Sequence, residues 1–288
     1  MSGHVAVVTD STAYLPAGMA EQHGITVVPL QVVLGGQSLA EGVEVDSARL
    51  AKAFADDESV TTSRPSPQAF VDTYRAVHAG GASAIVSLHL SGEISGTVDA
   101  ARTAAREVAG EGIDVEVVDS RSMGMGLGYA VLTAAERAAQ GEPASQVARE
   151  AAHRAYVTAI FLYVDTLEYL HRGGRIGAAQ AWLGSALSVK PLLYLSDGRL
   201  EPLDRVRTTE KAIARLVEAA ASEAGDAAVD IAVQHLAAPD RAEDVAARLR
   251  ESVPGLRDLH VGEVGAVVGA HVGPGMVAVA VSPLSPAG

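Results

Sequence analysis

The chain has 288 residues, of which 48% are hydrophobic and only 4% aromatic, so its core must be built from aliphatic side chains. Its formal charge of −13 repels nucleic acid and anionic membrane surfaces. The absence of cysteine excludes disulfides, thiolate nucleophiles and cysteine-based zinc sites. The N-terminus lacks the features of a signal peptide, and no apolar run reaches the roughly 18 to 20 residues of a membrane span, so we predict a cytoplasmic protein.

The first half of the sequence alternates short apolar segments with helical ones. Strands are predicted at residues 5–8, in one or two pieces within 25–34, at 85–90 and at 115–118. Helices are predicted at 43–54, at 68–78, from about 95 to 109, from the glycine-rich stretch 124–128 to residue 140, and at 143–153. This alternation predicts an α/β domain with a parallel, doubly wound sheet. In such a domain a ligand binds beyond the carboxyl ends of the strands.

The second half indicates an α+β domain with a mixed or antiparallel sheet. Predicted strands cover residues 155–164, 231–236, 259–272 and 275–282, with a hairpin at 191–207 around the turn Asp197-Gly198, and predicted helices cover 165–170, 177–189, 208–224 and 240–251. The change in pattern places the domain boundary between residues 154 and 155. The predicted domains are therefore 1–154 and 155–288.

Three strands of the first half end in hydroxyl and acidic side chains, in the segments VVTDST, SLHLSGEISGT and VEVVDSRS. The segment TTSRPS, within a predicted loop at 56–67, has similar chemistry. In the second of these segments a turn leads from a strand into a helix, which directs backbone N–H groups and the positive end of the helix towards one point. That point favours an anion. Ser95 is equally suited to be a simple N-cap of the helix, and both interpretations stay open.

Common catalytic and cofactor motifs are missing from the sequence. There is no Walker A loop, and the dinucleotide-binding pattern fails because Tyr129 stands where the third glycine after Gly124 and Gly126 is required. No HExxH motif and no Gly-x-Ser-x-Gly elbow is present. The sequence therefore predicts no nucleotide cofactor and contains no local metal-binding motif, which leaves open only a metal site built from residues distant in the sequence.

Two further motifs carry polar groups that suit an anionic ligand. Arg172 and Arg175 flank two glycines and offer guanidinium groups to a carboxylate or phosphate, unless they are simply solvated. His271, in the segment GAHVGPG, is either a structural histidine or part of a site. A polar entrance backed by aliphatic residues suits a ligand with an anionic head and an apolar tail. A tail of about fifteen carbons contributes on the order of 10 kcal/mol on burial, before entropy is subtracted.

The sequence resembles the DegV family over essentially its whole length. The resemblance rests on the ordered motifs VVTDSTAYLP, TTSRPSP, LSGEISGT, VVDSRS, YLHRGGRIGAAQAWLG, VKPLLYLSDGRL, DRVRT and GAHVGPG. It implies a DegV-like carrier that encloses a long-chain fatty acid, such as palmitate or oleate, in a tunnel closed by the second domain. It also implies that a separate ATP-dependent fatty acid kinase subunit phosphorylates the exposed carboxylate for phospholipid synthesis, and that the carrier needs no cofactor.

The resemblance also implies roles for individual residues. Thr62 and Ser95 are expected to hold the carboxylate, and Ser91, Gly96 and His271 are expected to complete its binding site. Four arginines are candidates for the rim of the head-group site or for contact with the kinase: Arg64, Arg172, Arg175 and Arg207. The sequence departs from the family at Arg64, where glutamine is frequent, and at Gly92, where a second serine is frequent. Both departures bear on the hydrogen bonds to the head group.

Two other functional classes stay open at this point. The first is an α/β enzyme, a hydrolase or phosphotransferase, that acts on a small anion. The second is a lipid-sensing regulator without a kinase partner. We expect the chain to be a lipid-binding subunit that catalyses nothing on its own, because no motif for ATP or magnesium is present.

Overall fold

The computed structural model describes residues 4–183 and 189–284. The strands in this part of the chain are β1 (Val5–Asp10), β2 (Thr26–Val28), β3 (Gln31–Leu34), β4 (Gln37–Ala40), β5 (Val60–Ser63), β6 (Ala84–His89), β7 (Val115–Asp119), β8 (Ala159–Tyr163), β9 (Lys190–Ser196), β10 (Arg199–Val206), β11 (Val229–His235), β12 (Leu256–Glu263) and β13 (Val277–Pro283). The α-helices are α1 (Met19–Gln22), α2 (Ser47–Ala55), α3 (Pro67–Ala79), α4 (Thr97–Ala109), α5 (Met125–Ala139), α6 (Ala144–Val157), α7 (Glu168–Arg172), α8 (Thr209–Ala224), α9 (Pro239–Ser252) and α10 (Ala266–Val272).

The N-terminal half contains a parallel, doubly wound sheet, as predicted. Its strand order is β2-β1-β6-β7, and every neighbouring pair is parallel. Helices α3 and α4 cover one face, where Phe70 and Tyr74 pack on Ile85. Helices α5 and α6 cover the other face. The strand order reverses between β1 and β6, and a crevice is expected at the carboxyl ends of these two strands.

The C-terminal half forms a six-stranded mixed sheet, which also agrees with the prediction. Its order is β10-β9-β8-β13-β11-β12; β11 and β12 are parallel, and the other pairs are antiparallel. One face packs on α8 and α9. The other face packs on α5 and α6, so that these two helices lie between the two large sheets. The predicted domain boundary between residues 154 and 155 falls within α6 and stays a prediction.

A third sheet was not predicted. It is antiparallel with the order β4-β3-β5, and its strand β5 lies in the segment predicted as a loop. The side chains of β5 alternate between partly buried and exposed, and three of the four are hydroxyl residues. This polarity hides the strand in the sequence, although the alternation suits a strand at the edge of a sheet.

Three predicted elements differ from the structure. The strand expected from residue 155 begins at Ala159, because α6 continues to Val157. The strand expected at 259–272 is β12 followed by helix α10, since a short apolar run does not distinguish a buried helix from a strand. The helix expected at 177–189 is a 3₁₀ helix at Gly177–Trp182, and residues 184–188 of that prediction lie outside the described residues.

Candidate functional site

A cavity of about 170 Å³ lies where α10 meets β5 and the loop after β6. Most of its wall is aliphatic and comes from Leu30, Leu90, Ile94, Met123, Leu170, Leu200, Val267, Val268 and Val272. Its polar lining consists of Thr62, Ser63, Arg64, Ser95, Gly96, Arg175 and His271. Of the nine predicted site residues, the structure therefore brings Thr62, Arg64, Ser95, Gly96, Arg175 and His271 to one cavity.

Thr62 and His271 form a hydrogen-bonded pair across the cavity wall. The distance from Thr62 Oγ1 to His271 Nε2 is 2.8 Å, although the residues are 209 positions apart in the sequence. Burial, with a further contribution from the Arg175 charge, lowers the pKa of His271 to about 4. The imidazole is therefore neutral at pH 7. Its Nδ1 atom is buried and has no hydrogen-bond partner within the described residues.

Ser95 and Gly96 lie at the N-terminus of α4. The helix begins at Thr97 with Gly96 as its N-cap, so Ser95 is not the N-cap that the sequence suggested. Instead, Ser95 Oγ lies 2.8 Å from Thr97 Oγ1 and accepts a hydrogen bond of 3.3 Å from the Thr97 N–H group. The N-cap residue Gly96 itself makes no side-chain hydrogen bond to the helix. The first-turn N–H groups of a helix have no intrahelical acceptors, and they carry the positive end of the helix dipole.

Two of the four predicted rim arginines lie at this cavity. Arg64 Nη1 lies 3.4 Å from the Gly96 carbonyl oxygen, to which it donates a hydrogen bond. Arg175 donates to the carbonyl oxygens of Ile94 at 3.1 Å and Gly173 at 2.6 Å, which joins the glycine loop after α7 to the loop before α4. Both side chains are exposed, so their charges reach solvent beside the cavity.

The other two arginines do not line the cavity. Arg172 forms an ion pair with Glu168 at 3.1 Å on the surface of α7 and lies over the ring of Tyr169. Arg207 is exposed and follows the last residue of β10, the strand that contributes Leu200 to the cavity wall. At about 3.3 Å per residue, Arg207 lies on the order of 20 Å along the strand from Leu200.

Ser91 is not placed as a ligand-binding residue in this structure. Its side chain is completely buried and does not line the cavity, and its hydroxyl donates a 2.8 Å hydrogen bond to the carbonyl oxygen of Gly198. Gly198 lies in the turn between β9 and β10. The hydroxyl that the family resemblance assigns to the head-group site therefore attaches the C-terminal hairpin to the N-terminal half.

A buried chain of polar side chains lies beneath the site. Asp10 Oδ2 is 3.0 Å from His89 Nδ1, His89 Nε2 is 2.7 Å from Ser87 Oγ, and Tyr74 donates to Ser87 at 2.9 Å. All four residues have a relative exposure of 0%. Ser87 is thus shielded from solvent, unlike the exposed nucleophile of a nucleophile elbow. The role of this buried chain is structural, because Asp10 also accepts the N–H group of Leu90 in the cavity wall.

Tyr14 and Glu41, which no sequence motif indicates as site residues, hold α10 in place. Glu41 Oε1 accepts the N–H group of Val267 at 2.7 Å, and Tyr14 Oη accepts that of Val268 at 3.1 Å. Tyr14 also donates to Glu41 at 3.0 Å. These bonds satisfy N–H groups in the first turn of the helix that carries His271. An acidic residue in a polar turn gives no sequence signal for such a distant contact.

The fold and the cavity define an α/β protein of two large sheets with an aliphatic cavity whose polar entrance is built from hydroxyl groups, a neutral imidazole and a helix N-terminus. The chain belongs to the DegV family, since the family described as "Uncharacterised protein, DegV family COG1307" matches residues 4–284. The resemblance found in the sequence is thus confirmed.

Relatives of known sequence and structure agree with this assignment. The DegV domain-containing protein SCO2569 of Streptomyces coelicolor is 60% identical over 282 residues, which cover 98% of this chain and 99% of the relative. A solved DegV family protein from Thermus thermophilus, described by its fatty acid binding, has a TM-score of 0.91 and 34% identity, and the match covers 98% of this chain and 100% of that one. DegV from Bacillus subtilis, described as a fatty acid binding protein, has a TM-score of 0.89 and 33% identity with the same coverage.

Within the described residues, no helix is both long enough and apolar enough to cross a membrane.

Proposed function

We propose that this chain is a fatty-acid-binding carrier whose cavity holds the carboxylate end of a long-chain fatty acid, such as palmitate or oleate, between Thr62 and Ser95. One observation carries the proposal: the Thr62–His271 pair and the Ser95–Gly96 helix terminus meet at a cavity whose other walls are largely aliphatic. The similar proteins from Thermus thermophilus and Bacillus subtilis, both described as binding fatty acids, support it.

The polar groups of the cavity suit an ionised carboxylate. The hydroxyls of Thr62 and Ser95 can each donate a hydrogen bond, and the N–H groups in the first turn of α4 add donors together with the helix dipole. The neutral state of His271 means that no buried cation forms a tight ion pair with the ligand. Such a carboxylate is bound firmly by donors, yet its oxygen remains a competent nucleophile.

The acyl tail requires more space than the cavity offers. A volume of about 170 Å³ is close to that of an engineered cavity of about 150 Å³ that binds benzene. We therefore infer that the cavity holds the head group and the first carbons, and that side chains of the adjoining core move to admit the rest. Met123 is well suited to this movement, because methionine is unbranched and fills irregular space.

The proposed carrier presents its carboxylate to a separate ATP-dependent kinase in the cytoplasm, where the acyl phosphate forms. Arg64 and Arg175 are the best-placed contacts with that partner, since both are exposed beside the cavity. Arg172 and Arg207 stay predicted contacts further from the ligand.

Native mass spectrometry of the purified protein tests the proposal directly. We expect a bound mass in the range of a C16 to C18 fatty acid, which organic extraction releases as the free acid. The protein alone should not turn over ATP or the acid. A protein that neither carries a fatty acid nor takes up added palmitate or oleate would contradict the carrier assignment.

A further inference from the structure

A second, larger cavity lies at the N-terminal end of α10, outside the proposed fatty acid site. It is an open cleft of about 760 Å³, which we call the acidic cleft. Its walls come from the segment after β1, strand β2, the turn at residues 41–47 and the end of β12. The function proposed above uses none of these surfaces. Glu41 closes the base of the cleft, where its carboxylate accepts hydrogen bonds from Ser11, Tyr14 and the Val267 N–H group.

The charges of the acidic cleft all have one sign. Five carboxyl groups line it. Glu21, Asp46 and Glu263 are exposed, whereas Asp10 and Glu41 are buried and hydrogen-bonded, and burial raises the pKa of Glu41. No lysine or arginine is found among its described lining residues. Its single histidine, His260, has a pKa lowered chiefly by burial and carries no charge at neutral pH. Walls of one sign and low dielectric concentrate the field and attract groups of the opposite charge.

The same cleft exposes aliphatic side chains. Val43 has a relative exposure of 78% and Val27 one of 41%, and both line the cleft. They are two of the three large hydrophobic residues that the described chain exposes; the third is Tyr156 on α6. Leu15 and Pro16, both partly exposed, also line the cleft. An exposed apolar patch with a polar rim is typical of a surface that contacts another protein.

We propose that the acidic cleft is a docking site for a segment of another protein in which lysine or arginine alternates with aliphatic residues. The aliphatic side chains would cover Val27 and Val43, while the cations would lie near Glu21 and Asp46. Charge complementarity selects this partner: an anionic lipid surface or a nucleic acid is repelled by the cleft and by the net charge of −13. The docking site goes beyond the proposed function and does not depend on it.

Fluorescence anisotropy with defined peptides tests the proposal on the full chain. The probe is a labelled ten-residue peptide of alternating lysine and leucine with blocked termini. The comparison peptides replace lysine by glutamate or leucine by serine. We expect saturable binding of the lysine–leucine peptide that weakens with salt, and binding at least tenfold weaker for both comparison peptides, because the cleft requires both charge and apolar contact.

Matched variants show where the peptide binds. Val43→Ser, and separately Glu21→Gln combined with Asp46→Asn, should weaken binding at least fivefold; asparagine preserves the N-cap that Asp46 provides to α2. The controls are Tyr156→Ser for the apolar change and Glu223→Gln with Glu251→Gln for the charge change, all at exposed positions on other surfaces. They should alter binding less than twofold.

The proposal is overturned if the peptide does not bind, or if the control variants weaken binding as much as the cleft variants do. The second result would show a general attraction to an acidic protein. A version of the peptide with photoreactive leucine adds a direct readout, since its cross-links should fall at residues 41–47 and 260–265. Fatty acid content, measured by extraction from the same samples, should be equal in all variants, because none of them lines the fatty acid cavity.

Discussion

At the scale of single residues, the polar end of the cavity differs from a typical anion site because its central group is an uncharged histidine. His271 is held at Nε2 by Thr62, while burial and Arg175 disfavour its protonated form. A charged imidazole would grip a carboxylate more strongly, but it would also reduce the nucleophilicity of the bound oxygen. The neutral ring leaves recognition to hydroxyl and N–H donors, which suits a ligand that is passed on to a partner.

Replacing Thr62 by alanine tests this recognition. We expect Thr62→Ala to weaken fatty acid binding about 10- to 100-fold, the range for one lost hydrogen bond to a charged group. Thr61→Ala is the matched control, because Thr61 is the preceding residue of β5 and its side chain is exposed. Titration of delipidated protein with a fluorescent fatty acid measures both. Equal affinities of the two variants would remove Thr62 from the head-group site.

The pKa of His271 predicts a loss of stability in acid. Its folded value of about 4 lies below the unfolded value of about 6.5, so the unfolded state binds the proton more readily between these limits. The free energy of unfolding should therefore fall as the pH drops through this window, by about 2 kcal/mol between pH 7 and pH 5 from this group.

The variant His271→Gln isolates that contribution. Glutamine keeps polar atoms near Thr62 but does not titrate, so its urea-unfolding free energy should lose about 2 kcal/mol less than the native protein between pH 7 and pH 5. Other titrating groups affect both proteins equally and cancel in the difference. The same pH dependence in both proteins would mean that His271 is accessible to protons in the folded state.

The sequence identifies the hydroxyl groups of the site but not how they are used. Ser91 and Ser95 lie four residues apart in one motif, and their chemistry is identical. Ser95 lines the cavity, whereas Ser91 bonds to Gly198, which is 107 positions away. A long-range contact of this kind depends on how the C-terminal hairpin packs, and nothing local in the sequence encodes it.

At the scale of elements, the position of α10 depends on close contact with α7. An added Cβ at Gly173, the C-cap of α7, would collide with the imidazole of His271 and would lie 3.2 Å from the Tyr169 carbonyl oxygen. The backbone of Gly173 is in the ordinary right-handed region, at φ −77°. Alanine at position 173 would thus be disfavoured by a steric clash with its neighbours and not by the backbone conformation.

Gly173→Ala should therefore destabilise the protein by about 1–3 kcal/mol and reduce fatty acid binding, because His271 must move. Gly110→Ala is the matched control: Gly110 is the C-cap of α4, also right-handed at φ −63°, and its added Cβ would make only an ordinary 3.5 Å contact. Thermal unfolding and fatty acid titration of both variants provide the comparison. An unchanged affinity in Gly173→Ala would show that the position of His271 does not matter for the ligand.

Secondary structure is predicted correctly where turn residues mark the ends of strands, and it is predicted wrongly where a strand is polar or a short helix is apolar. The hairpin of β9 and β10 was predicted from Asp197-Gly198, and both residues adopt the positive φ angles that a tight turn requires, 49° and 80°. The polar side chains of β5 give no strand signal, and the short, apolar, valine-rich sequence of α10 is as typical of a strand as of a buried helix. These two elements carry Thr62 and His271, so the local errors fall on the site itself.

At the scale of the whole molecule, both halves of the chain contribute residues to the cavity wall. The N-terminal half contributes β5 and the segments that follow β2, β6 and β7, while the C-terminal half contributes α7, α10 and the β9–β10 hairpin. The hairpin is attached to the N-terminal domain by three polar contacts. Ser91 donates to Gly198, Arg121 donates to the Asp197 carbonyl oxygen at 2.6 Å, and Arg199 pairs with Glu93.

These contacts lead to a prediction about how fatty acid leaves the protein. Leu200, which follows the attached turn, is part of the cavity wall, so movement of the hairpin opens the cavity. Ser91→Ala removes the one buried hydroxyl contact among the three and should accelerate fatty acid release about 2- to 10-fold, the range for one hydrogen bond between neutral groups. Stopped-flow transfer of a fluorescent fatty acid to lipid vesicles gives the release rate. Amide hydrogen exchange at residues 196–199 should rise in the same variant, since it reports opening of the turn.

Ser95→Ala provides the contrast, because it should weaken binding while leaving exchange in the hairpin unchanged. If Ser91→Ala behaves like Ser95→Ala in both measurements, Ser91 contacts the ligand, as its motif suggested, and the hairpin is not held by its hydroxyl.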